Sequence, residues 1–164
     1  MSWLHGACLA AVLGVATAAF AIPKPMPDAE LEKMSSVVVE GEVISATYLG
    51  EEDSSRLAVS RFRGELKVRK VIKGDVKKDA LLVLLWFKEA QIQNRSTVDG
   101  RVQQPFYYPC EVVRAYLHAS KDRGTYITAF WNGRRTLKAP HLFKVPTPQQ
   151  KTLRCVGGAV KAAR

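Results

Sequence analysis

The 164-residue chain has little of what metal or nucleophilic chemistry requires. Its three cysteines (Cys8, Cys110, Cys155) and three histidines (His5, His118, His141) form no CxxC, HxxxH or HExxH spacing, so the usual ligand pattern of a structural zinc site is missing. No GxSxG occurs, and Glu51-Glu52-Asp53 lacks the spacing of a calcium loop. Gly157-Gly158 has no strand-loop-helix context for holding phosphate and reads as a flexible terminus. These absences argue against an enzyme, a bound cofactor and a metal. One catalytic reading survives: a thiol-dependent enzyme centred on Cys110, with His118 or His141 as its base.

Charge is missing from the beginning, where no Asp, Glu, Lys or Arg precedes Lys24. The run from Leu9 to Ile22 is small or apolar, and Ala19-Phe20-Ala21 supplies the small-x-small pattern of a cleavage site. Residues 1–21 are therefore expected to be a signal peptide and Ile22 the mature start, although the segment ahead of the apolar run lacks the customary Lys or Arg. The rival reading is a retained membrane anchor. Beyond this run the longest apolar stretch is Ala80 to Phe87, far short of the roughly 20 residues a spanning helix needs. Once cleaved, the protein is expected to be secreted or periplasmic and not an integral membrane protein.

Loss of residues 1–21 removes Cys8 and leaves Cys110 and Cys155, which an oxidising compartment favours as one disulfide. Two unpaired thiols are the alternative. Closing that loop stabilises by about 3–4 kcal/mol in the chain-entropy picture. The remaining chain suits a single domain.

Acidic residues are absent after Asp122. Residues 22–122 hold 16 Lys or Arg against 15 Asp or Glu, whereas residues 123–164 hold nine basic residues and no acidic one. The net +10 thus sits almost wholly in the last quarter. Such a block fits a polyanionic partner, such as an anionic membrane surface, lipopolysaccharide, a sulfated glycan or nucleic acid. Export makes nucleic acid the poorest match. A basic tail that simply keeps the protein soluble is the plain alternative.

What is present is mostly strand pattern. Residues 22–35 form a lead-in with Pro23, Pro25 and Pro27, then a short helix capped by Asp28 and ending near Met34. From Ser36 the period changes to two, which predicts a strand to about Leu49 and a loop over Glu51–Ser55. In RFRGELKVRKVIKG, Phe62, Leu66, Val68 and Ile72 share one face, and Arg61, Arg63, Glu65, Lys67 and Arg69 share the other. Gly64 on the apolar face marks a bulge or a close backbone approach. Ala80–Phe87 is apolar on both faces, which predicts a strand covered on both sides. Lys88–Gln104 reads as an extended loop, or as a hairpin with its tip at Asp99-Gly100. Glu111–His118 and Thr125–Trp131 read as strands, and Asn132-Gly133 predicts a hairpin that folds Arg134–Lys138 back antiparallel. After His141 periodicity is lost.

Val37-Val38-Val39-Glu40-Gly41-Glu42-Val43, followed by Leu66-Lys67-Val68-Arg69-Lys70-Val71-Ile72-Lys73-Gly74, resembles the first two strands of netrin-like modules. That group, with the tissue-inhibitor-of-metalloproteinase domains, is built on an OB-type barrel. The resemblance spans Ser36 to about Trp131 and implies a fold alone, since function does not follow from fold. The inhibitors' N-terminal zinc-chelating cysteine has no counterpart at Ile22, so no inhibitory residue carries over.

The expected fold is therefore mainly β: a small antiparallel OB-like barrel of five or six strands over residues 36–143, one short N-terminal helix, and an irregular basic tail over 144–164. The expected function is that of an exported, non-enzymatic binding module that contacts an anionic surface or protein partner. Its candidate contacts are Arg61, Arg63, Lys67 and Arg69 on one strand face, with Arg134, Arg135 and Lys138 after Trp131. An inhibitor or accessory protein acting through the 88–104 loop is the runner-up.

Overall fold

The computed structural model describes residues 24–53, 57–93, 96–98, 106–121 and 124–163. The expected signal segment 1–21, its cleavage site and Asp99-Gly100 lie outside these residues.

Helix α1 (Asp28–Met34) follows Lys24–Pro27. Asp28 is its first helical residue and not its cap: Pro27 holds the cap position, without a side-chain hydrogen bond. The helix C-terminus is closed from outside. Lys73 Nζ donates to the carbonyls of Glu32 (2.6 Å) and Lys33 (3.2 Å), groups that a helix end leaves without an internal partner.

Nine strands are present among the described residues: β1 (Val37–Asp53), β2 (Leu57–Lys73), β3 (Leu81–Gln93), β4 (Ser96–Val98), β5 (Val112–Ala119), β6 (Thr125–Thr128), β7 (Arg134–Lys138), β8 (Thr152–Val156) and β9 (Ala159–Ala162). Five of them close a ring of pairings, β1–β2–β3–β6–β5–β1. Four of the five pairings are antiparallel, but β3–β6 is parallel, with Val83 opposite Thr125 and Leu85 opposite Ile127. The purely antiparallel expectation is corrected there, because the chain crosses through β5 before β6 returns to β3.

β1 and β2 each run for 17 residues and stay paired through four register shifts. Each extra residue reverses which face the following side chains take and bends the strand. Val43 lies opposite Leu66 and Ser45 opposite Glu65, so Ile44 is the added residue. Val43 faces the core before it and Ala46 after it, both fully buried. On β2 the added residue is Arg69, between Val68 opposite Gly41 and Lys70 opposite Glu40. Val71 thereby joins Val68 against the interior, and Ile72 turns to the other side.

Two apolar clusters result. The larger fills the ring with Val39, Val43, Phe62, Leu66, Val68, Leu84, Trp86, Val113, Ala115 and Leu117. The smaller lies outside it, where Leu31 of α1 packs on Val38, Tyr116 and Phe130. Gly64 makes the close approach expected of it: a Cβ there would stand 2.6 Å from Trp86 Cη2 and 2.7 Å from the Ser45 carbonyl oxygen.

Several expectations are corrected. Glu51–Asp53 continues β1 and is no loop. Lys88–Gln93 continues β3, and β4 pairs back on it through Gln91–Val98 and Gln93–Ser96, so of the two forms expected the stretch begins as a hairpin, with the chain reversing between Gln93 and Ser96 and not at Asp99-Gly100. Asn132-Gly133 does not reverse the chain. β6 and β7 follow one another in the same direction along β5, with Thr128 opposite Leu117 and Arg134 opposite Ala115. The Asn-Gly turn merely loops residues 129–133 out around Tyr116, whose carbonyl accepts from Ala129 N–H and whose N–H donates to the Gly133 carbonyl. Asn132 is held there by donating Nδ2–H to the Met26 carbonyl at 3.0 Å.

The tail is likewise not irregular. β8 and β9 form a hairpin, and its two-residue turn Gly157-Gly158 has φ of 60° and 79°, the left-handed pair a type I′ turn requires. β8 pairs with β1 at Ser45–Thr47, beyond the Val37–Glu42 stretch that β5 occupies. Cys155 on β8 is bonded to Cys110, the residue pair expected from the cysteine count. Among the described residues no helix is long and apolar enough to cross a membrane.

Candidate functional site

Ala80–Phe87 was expected to be covered on both sides, and it is not. Leu82, Leu84 and Trp86 point into the core. Leu81 is 58% exposed, Phe87 is 38% exposed, and Val83 and Leu85 are half-buried. The strand therefore presents an apolar row to the outside, and Ile127 of β6, opposite Leu85 and also 38% exposed, widens it. Exposed apolar rows of this kind mark contact surfaces.

Beside that row runs the basic row of β2, in a register that sets Arg61 opposite Phe87, Arg63 opposite Leu85 and Lys67 opposite Leu81. All three cations are exposed. Directly opposed residues on neighbouring strands share a face, so the alternation of β2 and of β3 places the two rows side by side. On the far side of β2 the same face continues across β1: Ser45 Oγ donates to Glu65 Oε2 at 3.0 Å, Arg154 stands opposite Ser45, and Lys161 stands opposite Arg154. The outer sheet surface thus grades from apolar on β6 and β3 to cationic on β2 and on the β8–β9 hairpin.

The expected contacts separate into two groups. Arg61 is paired with Glu52, and Arg69 with Glu42 at 2.5 Å. Arg63 and Lys67 have no acidic partner among the described residues. Arg134, Arg135 and Lys138 lie on β7, separated from β2 by β5 and β1, and do not join the row. Arg134 is also corrected as a contact. It is turned inward against the fully buried Glu111, which accepts in addition from Thr136 Oγ1 at 2.7 Å and from the Tyr108 backbone N–H at 3.3 Å. Arg135 is held by Asp28 at 2.6 Å and by the Asn132 carbonyl at 2.7 Å. Lys138 is exposed at the end of β7.

The Glu111–Arg134 pair is part of the frame. Arg134 lies 5.7 Å from the Tyr107 ring centroid and 5.9 Å from that of Tyr108, and Tyr107 shares a 2.9 Å hydrogen bond with Thr128. Burial pushes the Tyr107 phenol up to about 12, against the opposing pull of Thr128 and Arg134. Glu40 holds Arg114 further into its charged form.

Between the rows the surface is hollow. A groove of about 670 Å³ is lined by Leu49, Val59, Phe62, Leu85, Phe87 and Ile127, with Arg61 and Arg63 at its polar side and Thr125 and Trp86 completing the wall. No carboxylate is among its described lining residues. The Trp86 indole N–H is buried and has no acceptor among the described residues.

The sulfur of Cys110 is bonded to Cys155, so in this state it offers no thiolate. Among the described residues no three His, Cys, Asp or Glu side chains gather where they could hold a metal ion. The apolar row, Arg154 and Lys161 escaped sequence reasoning. The signal for the row is present in the odd-numbered residues Leu81, Val83, Leu85 and Phe87, whose apolar character predicts a covered second face.

No protein-family model, curated protein or solved structure matches the chain.

Proposed function

We propose that the protein is an exported, non-enzymatic binding module that contacts an anionic surface or partner through the outward face of β2, and that its strand ring is an OB-type barrel. Support for the barrel comes from five strands closing on themselves with a single parallel pair made by a crossover, since small barrels of this type are five-stranded and use the face of their second and third strands for binding. Support for export comes from residues 1–21 and from the Cys110–Cys155 bond, which oxidising compartments favour.

The observation that carries the binding reading is the pair Arg63 and Lys67. They are exposed, share one strand face and lack acidic partners, beside a row of exposed apolar side chains. Arg154 and Lys161 enlarge the same positive field.

Retention on a heparin column tests it. The protein is expected to bind at low ionic strength and to elute as salt shortens the screening length to about 8 Å near 0.15 M. R63E/K67E should elute at clearly lower salt, whereas K138E, on a different part of the sheet, should shift little. Absence of retention at low salt, or retention unchanged by R63E/K67E, would refute the reading.

A further inference from the structure

We infer that the groove between β2, β3 and β6 takes a single-chain anionic amphiphile, with an apolar tail along Leu85 and Ile127 and a carboxylate or phosphate head at Arg63. The inference rests on the reading of the β2 face given above and names the ligand class that face would hold.

Three observations point to this class. The groove is concave, and Phe62 and Trp86, both almost fully buried, contribute to its lining. A flat bilayer touches protruding side chains and cannot follow such a hollow, whereas one flexible chain can enter it. The volume of about 670 Å³ lies within the range of small-molecule sites, which are mostly apolar with a few placed polar groups.

The charged side chains in the described lining are both cations, Arg61 and Arg63 of β2. Arg61 is already matched by Glu52, which leaves Arg63 as the lining cation without an acidic partner. An unmatched guanidinium, in a lining whose described residues include no carboxylate, selects a ligand that brings acceptor oxygens and negative charge.

Apolar exposure supplies the second half of the argument. Leu49, Phe87 and Ile127 line the groove at 53%, 38% and 38% exposure. Covering them with an alkyl chain removes apolar surface from water, which favours binding in proportion to the area covered. A short anion such as free phosphate gains none of this. The tail therefore decides affinity and the head decides orientation.

The test uses 11-(dansylamino)undecanoic acid as a fluorescent probe, with palmitate, hexadecanol and inorganic phosphate as competitors. Saturable one-to-one binding is expected, displaced by palmitate and not by phosphate, with hexadecanol at least tenfold weaker than palmitate. Arg63→Ala should weaken the probe about tenfold, in line with the loss of a charge-assisted hydrogen bond. Ile127→Asp should weaken it at least thirtyfold, and Leu49→Gln, at a more exposed position, supplies a second apolar-wall variant if Ile127→Asp unfolds.

Lys67→Ala separates the two levels of the argument. Lys67 belongs to the basic row but not to the groove lining, so it should lower heparin retention and leave probe binding within twofold. No saturable binding, equal competition by hexadecanol and palmitate, or binding indifferent to Ile127→Asp and Leu49→Gln would each overturn the inference while leaving salt-dependent heparin retention standing. Binding to vesicles of phosphatidylglycerol without binding of the monomeric probe would also overturn it, in favour of a membrane surface. Loss of heparin retention with probe binding intact would instead count against the broader reading of the face.

Discussion

Replacing Arg134 by methionine isolates what the buried ion pair contributes. Glu111 is fully buried and Arg134 has 15% of its side chain exposed, so each charge relies on the other. Removing the cation leaves a carboxylate with only Thr136 Oγ1 and the Tyr108 N–H as donors. Breaking a buried pair from one side costs about 3–5 kcal/mol. The loss in Arg134→Met is therefore expected to be about 3–5 kcal/mol. Glu111→Gln/Arg134→Met removes both charges, keeps an amide oxygen to accept from the Tyr108 N–H while the Thr136 hydroxyl turns to accept from the amide nitrogen, and should regain most of the loss. Urea unfolding followed by circular dichroism, with the disulfide intact, measures all three proteins. A loss in Arg134→Met below about 1 kcal/mol, or a double variant no more stable than the single one, would refute the reasoning.

Tyr107 is expected to make the fold alkali-sensitive. Its phenol is held up to about 12 by burial, while in the unfolded chain it ionises near 10, so between these values the unfolded state binds fewer protons and stability falls as pH rises. The wild type should lose about 2–3 kcal/mol more than Tyr107→Phe from pH 10 to 12 in urea titrations; parallel curves would refute it. Gly64→Ala places a methyl 2.6 Å from Trp86 Cη2 and 2.7 Å from a backbone oxygen, so thermal unfolding should report a loss of about 1–3 kcal/mol from overpacking, with an altered near-ultraviolet signal from Trp86. A change below about 0.5 kcal/mol would mean that the ring moves aside freely.

Periodicity and parity were legible in the chain, because they depend on neighbours a few residues apart. The alternation of Phe62, Leu66 and Val68 with Arg61, Arg63 and Lys67 determined which face of β2 is wet, and the tight packing at Gly64 followed from a glycine on an apolar face. The pairing of Cys110 with Cys155 was open to simple counting once residues 1–21 were set apart. Other features depended on contacts between segments far apart in sequence. An apolar residue records a preference for burial, not the presence of something to bury it, so only the assembled sheet decided that Leu81 and Phe87 stay exposed on the outer side of Ala80–Phe87. Asn132-Gly133 encodes a turn, but only the free edge of β5 decided that the chain continues past Tyr116 instead of folding back. Gly157-Gly158 encodes two left-handed residues, and it was the open edge of β1 beyond Glu42, with Cys110 in reach of Cys155, that turned a basic tail into the β8–β9 hairpin.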